Sequence, residues 1–319
     1  MLDDCARGVL ERFGLDPAAL EMPPLSRRRK RAVWRVGGYA LKWFAYEAQA
    51  AKVLGLSQHL GARGVALPVP AEPGLVQADC GWFLLFPWVA GRQPRYDEPG
   101  VTDALAAALA QFHQASAGYQ GPMDTWMLDW DRLLSDRRHE LHKAAAVAAS
   151  SDDEFSRRFT QAVPWLRERI RWCQKRLPAA GAHRLSEVAR ANPLIGHGDY
   201  SRLNVIETAG GGLTIIDLDQ ASVSLPVRDL SRLVTWINHD LQNWSGERLR
   251  QIVWAYGGLT AAEFDLLCLD QAMPHLALDI ARDYYNSARS SHLEELERCL
   301  TTDRDRLADL GLGPAPLRD

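Results

Sequence analysis

The sequence predicts an α+β protein with a small N-terminal part built on an antiparallel sheet and a larger, mainly helical C-terminal part. Strand patterns separated by turn residues dominate the beginning of the chain, whereas apolar residues recur at helical spacing from residue 101 onward. Pro87 and Gly91 interrupt the chain between these regions, and both residue types break regular structure. We therefore predict two domains, one over residues 1–90 and one over residues 91–319.

The composition is that of an ordinary globular protein and excludes several functional classes. Of 319 residues, 47% are apolar and 24% are charged, and the net charge of −3 gives no electrostatic basis for nucleic-acid binding. No apolar run is long enough to span a membrane. The five cysteines are odd in number and form no Cys-x-x-Cys pair, which argues against a disulfide framework or a zinc site. We expect a cytoplasmic protein, because such cysteines fit a reducing compartment.

Local patterns predict the elements of the N-terminal domain. Two strand patterns flank Gly37-Gly38, which is a typical two-residue hairpin turn. In chain order, the predicted elements are a helix over 2–13, strands over 32–36 and 39–44, a helix over 46–60, and short strands near 75–78 and 81–86.

Helical periodicity predicts most of the C-terminal domain. The predicted helices cover residues 101–117, 129–149, 152–177, 184–191, 227–240, 245–256, 261–289 and 291–309. A loop and a hairpin, which carry most of the chemically distinctive residues, interrupt this helical series.

The interrupting segment brings acidic and amide side chains into a short stretch of chain. Asn204 follows Asp199 by five positions, and Asp217 follows Asn204 by thirteen. A glycine-rich turn at residues 209–212 would fold the chain back, so that Asp217 returns to the neighbourhood of Asn204. Carboxylate and amide oxygens suit Mg²⁺, which keeps waters and substrate phosphates as its other ligands. The segment therefore predicts a magnesium site.

This segment also resembles the catalytic loop of kinases. His197 and Asp199, with Asn204 five residues later, match that loop, and Asp217 is similar to the metal-holding aspartate of kinases. Gly198 replaces the usual arginine, and Asp217 is followed by leucine rather than Phe-Gly. This variant resembles the aminoglycoside phosphotransferase and choline kinase superfamily, and most closely its spore-coat kinase-like branch. The resemblance implies a bilobal protein-kinase-like fold over nearly the whole chain.

The resemblance implies a role for each residue of the motif. Asp199 would accept the proton of the acceptor hydroxyl, while Asn204 and Asp217 would hold Mg²⁺ beside ATP. Asp219 lies two residues past Asp217, and along a predicted strand both side chains would face the same side, so Asp219 would contact a second metal ion or fix the loop. Asp229 is similar to an aspartate that caps a helix or holds the catalytic loop through backbone amides.

Three residues of the N-terminal domain are candidates for contacts with the nucleotide phosphates. Lys42 is similar to the strand lysine that steadies the α- and β-phosphates in kinase-like folds. Glu47 either pairs with Lys42 or is an acid at a helix start that favours the helix dipole. The usual glycine-rich loop is absent, and a basic run containing Arg28 occupies its place. Two interpretations remain open for this run, namely phosphate neutralisation and a solvated basic turn.

The segment Phe86-Pro87-Trp88 resembles the hinge that binds adenine in this superfamily. Adenine needs one backbone acceptor and one backbone donor, and proline has no N–H to donate. We therefore expect the Trp88 N–H as the donor and the Phe86 carbonyl as the acceptor.

The helix that contains Asp279, Asp283 and Tyr284 is the candidate wall of the acceptor site. Acids and aromatics would suit a cationic or sugar-like hydroxyl compound, although an ordinary amphipathic helix explains the same pattern. The sequence thus predicts a Mg-ATP-dependent kinase that phosphorylates a hydroxyl of an aminoglycoside-, sugar- or amino-alcohol-like acceptor. The alternative is a non-enzymatic, kinase-like spore-coat or scaffold protein.

Overall fold

The computed structural model describes residues 2–22, 26–28, 31–287 and 291–311. The chain forms two compact units, and each is assembled from separate stretches of sequence. The first consists of Met1–Pro94, Gln111–Met123 and Arg202–Ala221, and the second of Arg95–Ala110, Asp124–Ser201 and Ser222–Asp319. The predicted division after residue 90 stays a prediction. The first unit extends to Pro94 and includes two later segments of the chain.

The elements agree with the predicted α+β class. The strands are β1 (Ser26–Arg28), β2 (Arg31–Val36), β3 (Tyr39–Phe44), β4 (Val76–Ala78), β5 (Gly81–Pro87), β6 (Ile195–Gly196), β7 (Val205–Glu207), β8 (Leu213–Ile215) and β9 (Ser222–Val223). The helices are α1 (Leu2–Leu10), α2 (Glu47–Ala62), α3 (Val101–Ser116), α4 (Trp130–Ala149), α5 (Glu154–Arg176), α6 (Ala182–Ala191), α7 (Pro226–Asp240), α8 (Gly246–Tyr256), α9 (Ala261–Ala272), α10 (His275–Ser287) and α11 (His292–Asp309). Among the described residues, none of these helices is both long and apolar enough to cross a membrane.

The first unit is organised around a five-stranded antiparallel sheet in the order β1-β2-β3-β5-β4. The predicted hairpin is confirmed, since β2 and β3 pair from Arg31 opposite Phe44 to Val36 opposite Tyr39. Alternation along β3 separates its two faces. Leu41 belongs to the cluster that α1 covers, whereas Phe44 packs with α2. Lys42 lies on the same face as Phe44, and its charged end is therefore on the α2 side of the sheet.

A second hairpin completes the first unit. β7 and β8 pair antiparallel, and Gly211 in the connecting turn has φ of 77°, a conformation that favours glycine. The amide of Ile216 donates to the carbonyl of Asn204 at 2.9 Å, and the amide of Ile215 donates to the carbonyl of Ala66 at 2.8 Å. This confirms the predicted return of the chain toward Asn204.

The second unit is helical, and one of its predicted helices is wrong. The sequence predicts a single helix over 261–289, but α9 ends at Ala272 and α10 begins at His275. Pro274 has no N–H, and the extended backbone of Met273, with ψ of 141°, starts the break. Arg169 of α5 donates to the carbonyls of Ala272 and Met273 at 2.9 and 3.1 Å, so these two carbonyls at the break have hydrogen-bond donors.

The cysteines differ from expectation in one respect. The odd count predicts no disulfide framework, yet Cys5 of α1 and Cys80 of the β4–β5 turn are joined by a disulfide. Cys173, Cys268 and Cys299 are free and buried. Cys5 and Cys80 are 75 residues apart, and the packing of α1 beside β4 brings them together.

Candidate active site

A cavity of about 390 Å³ in the first unit collects most of the residues predicted to bind the nucleotide and the metal. Strands β2, β3 and β5, helix α2 and the β7–β8 hairpin contribute to its lining. The wall is largely apolar, and the predicted site residues that line it are Lys42, Phe86, Trp88, Asn204 and Asp217, together with Asp219.

Lys42 and two aspartates form the charged part of this wall. The Nζ atom of Lys42 lies 2.6 Å from Oδ1 of Asp217 and 2.6 Å from Oδ1 of Asp219. The Asp219 side chain is completely buried, whereas 35% of the Asp217 side chain is exposed. The buried carboxylate of Asp219 therefore fixes the position of Lys42, and Asp217 presents its carboxylate to the cavity.

The backbone at Asp217 explains why both carboxylates reach the same lysine. Asp217 has φ of 61°, in the left-handed region that residues other than glycine rarely adopt. The chain then forms a 3₁₀ turn over Leu218–Gln220 instead of continuing as the predicted strand. Unusual backbone conformations of this kind cost on the order of 1–3 kcal/mol and cluster at functional sites.

Lys52 of α2 supports this turn, although no sequence motif distinguishes it. Its Nζ atom donates to the carbonyls of Asp219 and Ala221 at 3.2 and 2.9 Å, and the side chain is buried. The sequence marks Lys52 only by its position, because it lies on the apolar face of α2 that also carries Val53 and Leu56.

The predicted pair between Lys42 and Glu47 does not form among the described residues. Lys42 is held by Asp217 and Asp219, while Glu47 is exposed at the first residue of α2. This position matches the other interpretation, in which an acid in the first turn favours the helix dipole.

The oxygen atoms in the cavity fit a magnesium ion. Asn204 and Asp217 offer amide and carboxylate oxygens, and the carboxylates of Asp217 and Asp219 outnumber the single ammonium of Lys42. Hard oxygen donors with a residual negative charge suit Mg²⁺. No cluster of three His, Cys, Asp or Glu side chains suitable for a metal occurs in the described part of the chain. An ion held here would therefore draw its remaining ligands from phosphate oxygens and water.

The hinge residues line the cavity, but the two backbone groups predicted to bind adenine point toward β3. The Trp88 N–H donates to the carbonyl of Gly38 at 2.8 Å, so the sheet already uses it. In an antiparallel sheet every second pair of opposite residues is hydrogen-bonded, so Phe86 and Ala40 also form such a pair. The Phe86 carbonyl therefore points toward β3 as well. The guanidinium of Arg35 lies over the indole ring of Trp88, 4.8 Å from the ring centroid.

The segment that follows the hinge is tied to the second hairpin. Arg92 and Glu207 exchange both backbone hydrogen bonds, at 3.0 and 2.8 Å, and their side chains form an ion pair at 2.7 Å. Gly91 approaches the Glu207 carbonyl so closely that a Cβ atom would clash with it. These contacts keep the hinge next to the strand that follows Asn204.

The basic run contributes its backbone to the edge of the sheet. Residue Arg28 ends β1, opposite Arg31 in the β1–β2 pairing. Its side chain lies outside the described part of the structure, so its predicted contact with phosphate stays a prediction.

The predicted catalytic loop lies in the second unit and is held by Asp229. The two carboxylate oxygens of Asp229 accept from the amides of His197 and Gly198 at 2.6 and 2.8 Å. The amide of Asp199 donates to Nδ1 of His197 at 3.3 Å. Gly198, with φ of 78°, supplies the left-handed turn between them. Of the two roles considered for Asp229, holding the loop is therefore the one observed.

Asp199 is accessible and meets a cation that the sequence did not reveal. Its side chain is 35% exposed, and its Oδ1 atom lies 2.5 Å from Nη2 of Arg232 on α7. The only available signal was the spacing of Arg232, which follows Asp229 by three residues on the same helix.

The candidate acceptor residues on α10 are largely engaged with other side chains. Asp279 lies 2.8 Å from Arg282 and 3.7 Å from Arg137, and Asp283 lies 3.5 Å from Arg282. Tyr284 stacks on Phe155 with 3.9 Å between ring centroids.

Comparison with known proteins agrees with this geometry. The chain is similar to spore coat protein S of Bacillus subtilis (strain 168), with 23% identity over 221 residues, which are 67% of this chain. It spans 63% of the length of that curated relative. It also resembles the crystal structure of an aminoglycoside phosphotransferase from Alicyclobacillus acidocaldarius subsp. acidocaldarius DSM 446. There the TM-score is 0.70 at 19% identity, with 92% of each chain covered.

A third similarity is to a spectinomycin phosphotransferase solved in complex with ADP and spectinomycin. Its TM-score is 0.58 at 14% identity, covering 92% of this chain and 93% of that one. The predicted kinase-like fold and the resemblance to the aminoglycoside phosphotransferase superfamily are thereby confirmed. The model described as the phosphotransferase enzyme family matches residues 24–269, and the chain belongs to this family.

Proposed function

We propose that this protein is a Mg-ATP-dependent small-molecule kinase, which transfers the γ-phosphoryl group of ATP to a hydroxyl. The observation that carries the proposal is the arrangement of Lys42 between Asp217 and Asp219 in a cavity that Asn204 also lines. A cytoplasmic location follows from the proposal, because ATP is available there.

Phosphoryl transfer depends mainly on positioning and electrostatic stabilisation, and the cavity residues suit both tasks. Lys42 would hold phosphate oxygens once the nucleotide enters, since its ammonium can face several oxygens at once. Asn204 and Asp217 would hold Mg²⁺, which neutralises charge on the phosphates when bound. Asp219 would keep Lys42 in place.

The adenine base would use different hinge atoms from those predicted. In an extended chain, successive residues turn their backbone groups to opposite sides. Trp88 faces Gly38, so the carbonyl of Pro87 and the N–H of Val89 turn away from β3. Both residues line the cavity. We propose the Pro87 carbonyl as the acceptor and the Val89 N–H as the donor for adenine.

Asp199 would act as the general base. An acceptor hydroxyl within hydrogen-bond distance of its carboxylate would lose its proton as the oxygen attacks phosphorus. The exposed carboxylate and the fixed loop backbone support this role.

The alternative is a scaffold protein that has kept a kinase-like fold. The spore coat relative and the missing glycine-rich loop favour it, whereas the complete set of Asp199, Asn204 and Asp217 favours an enzyme. A thermal-shift titration separates the two. Binding to the native state raises the melting temperature, so an enzyme should respond to ATP only when Mg²⁺ is present.

The matched variant for this test is Asp217→Asn. Asparagine tolerates the left-handed backbone at this position, but its amide offers the metal no charge. Loss of a charge-assisted contact should weaken Mg-ATP binding roughly ten- to hundredfold in calorimetry. Asp79→Asn, at an exposed position of the same unit, should bind like the parent. Equal Mg-ATP affinity in all three proteins would exclude Asp217 as a metal ligand.

A further inference from the structure

The helices α4 and α7 of the second unit carry a cluster of buried hydrogen-bond donors that have no hydrogen-bond partner among the described residues. The atoms are Trp130 Nε1, Arg137 Nε, Arg228 Nε, Arg228 Nη1 and Arg232 Nε. All of them carry protons to donate, because indole and guanidinium nitrogens do not accept hydrogen bonds. A buried donor without an acceptor costs free energy, so such a cluster points to a ligand that brings acceptors.

Helix geometry gathers these donors into one place. Trp130 and Arg137 are seven residues apart on α4, and Arg228 and Arg232 are four apart on α7, so each pair shares a face of its helix. The guanidinium of Arg228 lies over the Trp130 ring, 4.9 Å from its centroid, which joins the two faces. Burial as the largest cause, together with the charges of Arg137 and Arg232, lowers the pKa of Arg228.

The neighbouring carboxylates leave these donors unsatisfied. The side chain of Arg228 is only 8% exposed, and its nearest acid is Asp270 at 3.7 Å, beyond hydrogen-bond distance. Asp270 also faces Nε2 of His275 at 3.4 Å. Arg137 directs Nη1 to Glu140 at 2.5 Å and is 3.7 Å from Asp279. None of these acids reaches the Nε atoms of the arginines.

The cluster adjoins the proposed catalytic base. Arg232 belongs to it, and its Nη2 atom lies 2.5 Å from the carboxylate of Asp199. A compound whose hydroxyl meets Asp199 would therefore place its neighbouring groups toward Arg232 and Arg228. The guanidinium fork is complementary to carboxylate and phosphate oxygens, which it can bind with two parallel hydrogen bonds.

We propose that the phosphoryl acceptor is anionic, a hydroxyl compound that carries a carboxylate or phosphate group bound by Arg137, Arg228 and Arg232. This inference rests on the proposed function and specifies the substrate class of that site. It departs from the cationic acceptor that the α10 residues suggested, because Asp279 and Asp283 face arginines.

Calorimetry without ATP tests the subsite independently of catalysis. The probes are gluconate and glycerate as hydroxy acids, glucose 6-phosphate and glycerol phosphate as phosphates, glucose as the neutral analogue, and choline and kanamycin as cations. We expect at least one anionic probe to bind, with glucose, choline and kanamycin binding at least about tenfold more weakly. A preference for carboxylates or for phosphates identifies which oxyanion the site takes. The proposal is overturned if a cation binds preferentially or if none of the four anions binds.

Three variants assign the binding to this cluster. Arg137→Gln removes one guanidinium, and Arg228→Lys keeps the charge beside Asp270 while removing the fork. Each substitution should weaken binding of the anionic probe roughly ten- to hundredfold. The control is Arg132→Gln at an exposed position of α4, which should bind the probe like the parent. Melting temperatures check that all three variants fold. Unchanged affinity in both Arg137→Gln and Arg228→Lys would overturn the assignment.

The ADP-release assay with the same probes links the subsite to the reaction. The bound anion should be the preferred acceptor, and the two cluster variants should raise its KM while leaving the KM for ATP unchanged. If the anion binds in calorimetry but ATP and Mg²⁺ neither bind nor react, the kinase proposal fails while the oxyanion subsite stands. If ATP is consumed with a cationic acceptor instead, the kinase proposal stands and the anionic acceptor is wrong.

Discussion

Asp199→Asn should lower kcat by about a hundred- to ten-thousand-fold while ATP affinity stays unchanged. Asparagine keeps the shape of the side chain, and its carbonyl can still accept from Arg232 in place of the carboxylate Oδ1. The loop should also keep its conformation, because Asp229 holds it through the amides of His197 and Gly198. The introduced side-chain amide has no proton affinity comparable to that of a carboxylate, so the chemical step alone should slow.

The measurement is ADP release under saturating ATP, with the preferred acceptor or with slow ATP hydrolysis as a surrogate. Asp131→Asn, at an exposed position of α4, provides the matched control and should turn over like the parent. Parental kcat in Asp199→Asn would remove Asp199 as the base.

Arg169→Met should lower the free energy of unfolding by about 3–5 kcal/mol, because it leaves a buried carboxylate without its partner. The Arg169 side chain is completely buried and pairs with Asp303 of α11, while it also donates to the carbonyls of Ala272 and Met273. Methionine fills a similar volume but satisfies none of these three acceptors. Arg306 contacts the other oxygen of Asp303, so part of the charge remains compensated.

Urea unfolding followed by circular dichroism measures this loss. Arg171→Met, two residues further along α5, replaces a 60% exposed arginine and should change stability by less than about 1 kcal/mol. Equal midpoints for the two variants would mean that the buried network contributes nothing to stability.

Elements with a local signature could be predicted from the sequence. The β2–β3 hairpin depends on alternating residues around Gly37-Gly38, and the structure pairs these strands at the expected positions. Similarly, the turn at residues 209–212 carries enough glycine to indicate the β7–β8 hairpin. The end of α9 was missed because apolar periodicity continues on both sides of Pro274, although proline itself was a visible signal.

The charged partners of the site could not be predicted, since they depend on how distant elements pack. Lys42 and Asp219 are 177 positions apart, and their pairing needs the left-handed backbone at Asp217. Arg232 meets Asp199 only because α7 packs against the loop that Asp229 holds. The hydrogen bond from the Trp88 N–H to the sheet likewise depends on the residue at which β5 ends. Local sequence patterns do not predict the end of a strand to within one residue.

The discontinuity of the first unit has a consequence for synthesis on the ribosome. Its sheet is encoded before Pro94, but the segment with Asn204, Asp217 and Asp219 is made only after roughly a hundred further residues. At roughly 5–20 residues per second, this interval lasts on the order of 5–20 s. During that time Lys42 has neither of its carboxylate partners, and the apolar wall at Ala32 and Val53 lacks its cover. The cavity of the first unit is therefore not an autonomous N-terminal module, and it is completed late in translation.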